Sequence, residues 1–225
     1  MKIKMTFTSP LLGTVSGNQE LAKKYVIDKV LTDKTIEEDD KRKRTAKEEK
    51  TLPGTIGEQI EESSTYFHRE GKRPFIYGYM IKGFFKAACD AMIDSGVFTK
   101  KDLNEVKLGR WSYKSTINKL IMVRTRKIML QLPETVGEWN LPFVERSLRA
   151  ETMKGDRICL ARSEAAPEGT VVEFEFVCLS KKLQPYIEWW LNYGAEFGGI
   201  GQWRSAHYGS FSWEEIVTVG HGQVT

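Results

Sequence analysis

The segment Gly198–Gly209, reading GGIGQWRSAHYG, gathers the residue types best suited to hold an anion beside a flat ring. Its four glycines, Gly198, Gly199, Gly201 and Gly209, tolerate positive φ and close backbone approach, so main-chain N–H groups can face an anion. Arg204 offers a guanidinium fork for phosphate, and Trp203, His207 and Tyr208 offer faces for stacking. The segment fits neither standard nucleotide template. It has no lysine followed by Ser or Thr, and it follows a helical pattern where a dinucleotide fingerprint follows a strand. The plainer alternative is a helix-to-strand turn with a glycine cap.

A second group of candidates is cationic. Between positions 110 and 162 stand eleven basic residues (Arg110, Lys114, Lys119, Arg124, Arg126, Lys127, Arg146, Arg149, Lys154, Arg157 and Arg162) against five acids. That local excess exceeds the +4 of the whole chain. Arg124 and Arg126, two apart in an apolar β-branched run, are expected on one strand face, where arginines track phosphates. The alternative is a solvated edge strand that uses charge against aggregation.

Catalytic groups are sparse. His68, His207 and His221 are far apart, no HExxH occurs, and Cys89, Cys159 and Cys178 lack metal-ligand spacing, so no metal and no cofactor is expected. Asp39-Asp40 lies in a charge-rich run that reads as solvated. No catalytic residue is assigned. His207, with Arg204 or Lys82, is the one weak acid–base candidate, for cleavage of RNA through its 2′-hydroxyl.

The elements that position these residues follow from periodicity. Ile3, Met5 and Phe7 alternate with Lys2, Lys4, Thr6 and Thr8, a half-buried strand. Asn18 caps an expected helix to about Leu31. Residues 33–53 are charged and low in apolar residues, read as a mobile insertion. Ile81, Phe84, Phe85, Ala88 and Met92 form the buried stripe of a helix over Tyr79–Asp94, with Lys82, Lys86, Asp90 and Asp94 opposite and Gly96 as its stop. Strands are expected over Ile117–Leu132, over Val144–Ala150 and Asp156–Arg162 as a hairpin, and over Thr170–Cys178. A second helix spans about Leu183–Phe197, with Pro185 in its first turn, and Phe211–Val219 closes the pattern as a strand. Strand, helix, strands, helix, strand is the order of an α+β ferredoxin-like core, with an antiparallel sheet, helices on one face and insertions.

The chain has 225 residues, 40% hydrophobic and 28% charged, which suits a soluble globular protein. Three cysteines in apolar patterns read as reduced, buried thiols. No apolar run reaches the ~18 residues of a membrane span, and no leader pattern precedes the first strand. The expected location is the cytoplasm.

Two segments resemble one known family. Arg73–Lys86, RPFIYGYMIKGFFK, is similar to the proline–x–isoleucine–x–glycine–x–x–(isoleucine or leucine)–lysine–glycine stretch of the RAMP superfamily, the RNA-binding CRISPR-associated proteins. Gly199–Gly209 resembles that family's glycine-rich loop, and Ser9-Pro10-Leu11-Leu12-Gly13 suits the end of its first strand. The pattern is also similar to small stand-alone proteins of phages and prophages. The resemblance implies a single RAMP-like domain over residues 1–225 in a bacterial host cell. It also implies non-catalytic binding of single-stranded RNA or other nucleic acid, with a homo-oligomer or a CRISPR-type protein as further partner. Lys82, Gly83 and Lys86 would then approach the RNA backbone beside Gly199, Gly201, Trp203, Arg204, His207, Tyr208 and Gly209, with Arg124, Arg126, Arg146 and Arg149 on phosphates. Two positions depart from the family: His207 stands where a glycine is frequent, and Ser210 where a basic residue is frequent. Three rivals remain at this point: a metal-independent endoribonuclease of RAMP type, an interaction protein that mimics or blocks a CRISPR effector subunit, and a pocket for a small phosphorylated signal.

Overall fold

The computed structural model describes residues 1–17, 64–137, 140–152 and 155–216. The expected Asn18–Leu31 helix, the charged run 33–53, Lys154 and His221 lie outside the described residues. In chain order the elements are β1 (Lys2–Phe7), β2 (Leu11–Leu12), β3 (Val15–Ser16), β4 (Thr65–Tyr66), β5 (His68–Glu70) and β6 (Arg73–Tyr77). Then come α1 (Gly78–Ser95), α2 (Lys100–Glu105), α3 (Tyr113–Leu120), β7 (Ile121–Val123), β8 (Lys127–Met129), β9 (Phe143–Thr152) and β10 (Gly155–Ala166). The last are β11 (Val171–Cys178), α4 (Gln184–Tyr193) and β12 (Phe211–Glu215).

The chain divides into two compact units, Met1–Gly13 with Phe67–Pro142 and Ala165–Thr225, and Thr14–Tyr66 with Phe143–Glu164. The larger unit is built on a four-stranded antiparallel sheet in the order β12-β1-β11-β7. β11 lies between β1 and β7 and is antiparallel to both, so β1, α1 and β7 form a split crossover unit. With α4 leading from β11 to β12, the order β1, α1, β7, β11, α4, β12 is the ferredoxin-like arrangement. The fold is α+β with this core.

Alternation explains the sheet. Ile3, Met5 and Phe7 of β1 and Val172, Phe174 and Phe176 of β11 are buried on one face. α1 and α4 cover that face: the Phe85 ring lies 5.5 Å from Phe176 and 5.8 Å from Trp190, and Phe84 meets Phe211 edge-on at 5.6 Å. Each such side chain contributes about 1.5–3 kcal/mol of burial. The α1 stripe is as expected, with Ile81, Phe84, Phe85, Ala88 and Met92 buried, and Gly96 ends the helix at φ 68°. Cys89 on the same helix is buried, and desolvation pushes its thiol up to about 12, so it is an unreactive core residue. Cys178 is half-buried, its thiol 3.2 Å from the Ser180 carbonyl.

One stretch differs from the sequence reading. Ile117 does not open a strand but ends the buried row Tyr113, Thr116, Ile117 of α3, at helical spacing. The Gly109 carbonyl accepts from both Ser112 and Tyr113, starting the turn that the β-branched composition disguised. Strand begins only at Ile121, and Arg124–Arg126 links β7 to β8 outside either strand.

The smaller unit is a second sheet. β9 and β10 form the expected hairpin, register Phe143↔Glu164 through Thr152↔Gly155. β4 pairs parallel to β10 at Thr65↔Ser163, and β3 pairs antiparallel to β4. Tyr66 meets Phe143 edge-on at 5.6 Å, and the Arg162 guanidinium lies 4.0 Å over the Phe143 ring.

Candidate nucleic-acid interface

The glycine-bearing segment begins where α4 widens into a π-turn, Gly194–Gly198, whose i→i+5 bond runs from the Gly199 amide to the Gly194 carbonyl at 2.9 Å. Such turns are often found at functional sites. The chain then leaves the core, with buried Ile200 as its last anchor, and returns at Gly209. The Ile200 amide donates to the Gly209 carbonyl at 2.9 Å, closing the segment into a compact loop. At Gly209, φ 74°, an added Cβ would strike the Ile200 carbonyl oxygen. At Gly199, φ 68°, it would lie 2.7 Å from the Tyr208 carbonyl oxygen. These two glycines are needed for closure.

The loop base is tied to the turn that follows β1. The Gly209 amide donates to the Pro10 carbonyl at 3.0 Å, the Ser210 amide to Ser9 Oγ at 2.9 Å, and Ser9 Oγ to the His207 carbonyl at 2.6 Å. The amides of Gly199, Ile200, Ala206, His207, Gly209 and Ser210 therefore all donate within the fold, where the glycine pattern had suggested amides turned to an anion. What the loop turns outward is side chains. Trp203 and Tyr208 stack at 5.0 Å and 11° across its mouth. Arg204 is exposed and makes no ion pair among the described residues. His207 is exposed at φ 61°, a conformation that favours glycine. Among the described residues no carboxylate partners its imidazole.

Between this loop and the helices lies a groove of about 520 Å³, within the range of nucleotide and small-ligand sites. Its floor is Phe84, Ala87 and Ala88 of α1, one wall is Tyr193 and Phe197, and the other is Gly199, Gly201, Trp203, Arg204 and Ser205. Gly83 stands one turn before Ala87 on the same helical row, and Lys82 and Lys86 form the adjacent row. Gly83 is exposed, and a Cβ there would touch nothing. A mid-helix glycine costs about 1 kcal/mol against alanine, and nothing within the described fold requires this one.

The structure thus brings Gly199, Gly201, Trp203 and Arg204 to one groove. Tyr208 backs Trp203, Gly209 closes the loop, and Gly83 and its lysines lie on the helix that forms the floor. Arg124 and Arg126 do not share a strand face, since both lie in the link between β7 and β8. Arg124 pairs with Glu175 at 3.0 Å, and the exposed Arg126 gives its carbonyl to the Gly78 amide at 2.9 Å. Arg146 and Arg149 belong to β9 in the smaller unit, where Arg146 reaches Ser163 Oγ at 3.4 Å. Phe84, Tyr193 and Phe197 were not singled out as site residues by sequence. Their signal was the spacing Trp189, Tyr193, Phe197, four residues apart along one helix row.

The solvent face of the larger sheet has a different character. Lys2 pairs with Glu173 at 2.9 Å, Lys4 with Glu214 at 2.7 Å, and Arg124 with Glu175. The hydrogen bond that the Lys4 ammonium donates to Glu214, reinforced by the carboxylate's charge, raises the Lys4 pKa above the ordinary lysine value. Each cation named there is matched by a carboxylate. Among the described residues no three His, Cys, Asp or Glu side chains gather as a metal site, and no helix is long and apolar enough to cross a membrane.

No protein-family model matches the chain, and no curated protein matches it. Solved structures do. A chain of the Type III-B Cmr-beta complex bound to cognate target RNA, solved by cryo-electron microscopy, aligns with 96% of this chain at 12% identity and a TM-score of 0.46. The present chain spans 58% of that one's length. A chain of a Type IV-B CRISPR complex aligns with 99% of this chain and 92% of its own, again at 12% identity, with a TM-score of 0.45.

Proposed function

We propose that this chain is a non-catalytic binding protein for single-stranded nucleic acid, RNA first of all, held on the loop-and-helix side of the larger unit. The observation that carries the reading is the groove: an exposed guanidinium without a carboxylate partner among the described residues stands beside aromatic rings in a space of nucleotide size. Arg204 supplies a phosphate contact, with Lys82 and Lys86 on the neighbouring helix row. Trp203, braced by Tyr208, supplies a stacking face. Gly83 leaves room for a backbone to approach α1 closely. The motif resemblance to the RAMP superfamily makes RNA the polymer to try first and an effector-type protein assembly its natural setting.

The test is fluorescence anisotropy of a short labelled single-stranded RNA titrated with the protein at low salt. Saturable binding that weakens steeply as salt rises is expected. No binding of RNA or single-stranded DNA by folded protein overturns the proposal.

A further inference from the structure

The row of aromatic side chains on α4 is an unusual surface for a helix that also covers a core. Trp189 and Tyr193 stack at 5.4 Å and 8°, and Tyr193 lies 6.2 Å from Phe197. Phe98 closes the far end, 6.4 Å from Trp189. The inward side of the helix is filled by Tyr186, Ile187, Trp190 and Leu191, and Trp189 and Tyr193 pack against that core with one side only, which leaves part of each ring on the surface. Phe197 is 62% exposed, and Trp189 and Tyr193 are half-buried. The π-turn carries the row onward, because Phe197 sits inside it and still reaches Tyr193. The row ends in the groove that holds Arg204.

Resting on the binding function proposed above, we infer that the groove seats one unstacked base on the Phe197–Tyr193 wall, with its phosphate on Arg204, and that the strand continues along α4 over Tyr193 and Trp189. The ligand class is a nucleotide unit of a single strand. Every base has a π-face, so stacking on Phe197 reads the presence of a base, whatever its identity. Arg204, the one cation among the described residues that line the groove, stands at the end of an aromatic row, which matches the alternation of charged phosphate and flat base along such a strand. An apolar peptide would leave the Arg204 charge without a counterpart. Binding along α4 therefore depends on bases, whereas binding by Lys82 and Lys86 alone would depend only on the backbone.

The experiment compares wild type, Phe197→Ala and Arg204→Ala on a single-stranded oligonucleotide and on the same strand made abasic. Phe197 is largely exposed, so its truncation leaves the fold intact, which a thermal melt verifies. Phe197→Ala is expected to weaken binding of the intact strand about tenfold and binding of the abasic strand less than about twofold. Arg204→Ala should weaken both. If Phe197→Ala binds the intact strand like wild type, or if wild type binds both strands equally, the base seat is overturned while the binding function stands. If wild type binds neither strand, the binding function itself fails. Adenosine monophosphate is the third probe: affinity equal to that of the strand would overturn the path along α4 and leave a mononucleotide pocket.

Discussion

The solvent face of the four-stranded sheet and the groove between the loop and α4 lie in one compact unit, and both carry basic residues. They differ in what surrounds the charge. On the sheet, Lys2, Lys4 and Arg124 each meet a glutamate within 3.0 Å, so the face is close to neutral. In the groove, Arg204 has rings and small residues around it and no acid among its lining. An exposed ion pair is worth only about 0–1 kcal/mol, so it scarcely stabilises the fold, yet a phosphate must displace the carboxylate before it can use the cation. A ferredoxin-like sheet is the obvious platform for a single strand, and under the function proposed above its paired charges make it the poorer of the two faces. The number of arginines says less about a binding face than the number of carboxylates facing them.

The largest effect that could break this contrast concerns loop closure. Gly209→Ala puts a methyl group into the Ile200 carbonyl at φ 74°. We expect a loss of about 2–4 kcal/mol in urea unfolding together with loss of RNA binding. Ser212→Ala on the sheet face gives up only a 3.4 Å contact to the Thr6 carbonyl and should change stability by less than about 0.5 kcal/mol. Equal effects at the two positions would show that the loop is not the constrained element.

The next concerns binding itself. Arg204→Ala should lower affinity for a single strand about tenfold and reduce the salt slope by about 0.7, the value for one phosphate contact on single strands. Lys4→Gln, which removes a cation already committed to Glu214, should change affinity less than about twofold. If Lys4→Gln proves the more damaging substitution, the sheet is the binding face and the contrast is reversed.

These expectations also show how far the residues alone could be read. The core was legible because alternation in Lys2–Phe7 and in Val171–Cys178, and the helical stripe from Ile81 to Met92, each have a single burial solution. α3 was not, since Ile117 and Ile121 are β-branched and nothing local announces that the Gly109 carbonyl starts a turn. The loop was legible as a motif but not as a mechanism. Its glycines suggested amides facing an anion, whereas Gly199 and Gly209 serve loop closure and the outward chemistry belongs to Arg204 and the rings. The pairing of Arg124 with Glu175 depends on strand register between residues fifty-one apart, which no local pattern reveals. The aromatic row on α4 was visible in spacing but hidden by its neighbour, because Ile187, Trp190 and Leu191 already satisfied the helix's need for a core face.

A smaller effect tests why His207 stands at a position shaped for glycine. Its φ of 61° costs a residue with a Cβ about 1–2 kcal/mol, partly offset by the greater unfolded-chain freedom of glycine. His207→Gly should therefore raise stability by about 0.5–1 kcal/mol in urea unfolding. If RNA affinity falls at the same time, the imidazole belongs to the binding surface. Unchanged affinity assigns the binding to Arg204 and the aromatic rings.

The smallest effect is on Lys4, and it speaks most directly to the neutrality of the sheet. Its ammonium is held by Glu214, so its folded pKa is raised above that of the unfolded chain. The sign follows: this pairing contributes fully below the ordinary lysine pKa and is lost only as alkaline pH rises through the raised value. At neutral pH it is fully present. An NMR titration of the Lys4 side chain should show the raised value in wild type and a lower one in Glu214→Gln. Addition of single-stranded RNA at neutral pH should leave the wild-type Lys4 signal in place, because Glu214 already occupies it. In Glu214→Gln the freed ammonium becomes available, and RNA should shift the signal weakly at low salt and not at high salt. A large shift in wild type would mean that phosphate outcompetes the carboxylate, and that paired charge does not keep a strand off the sheet.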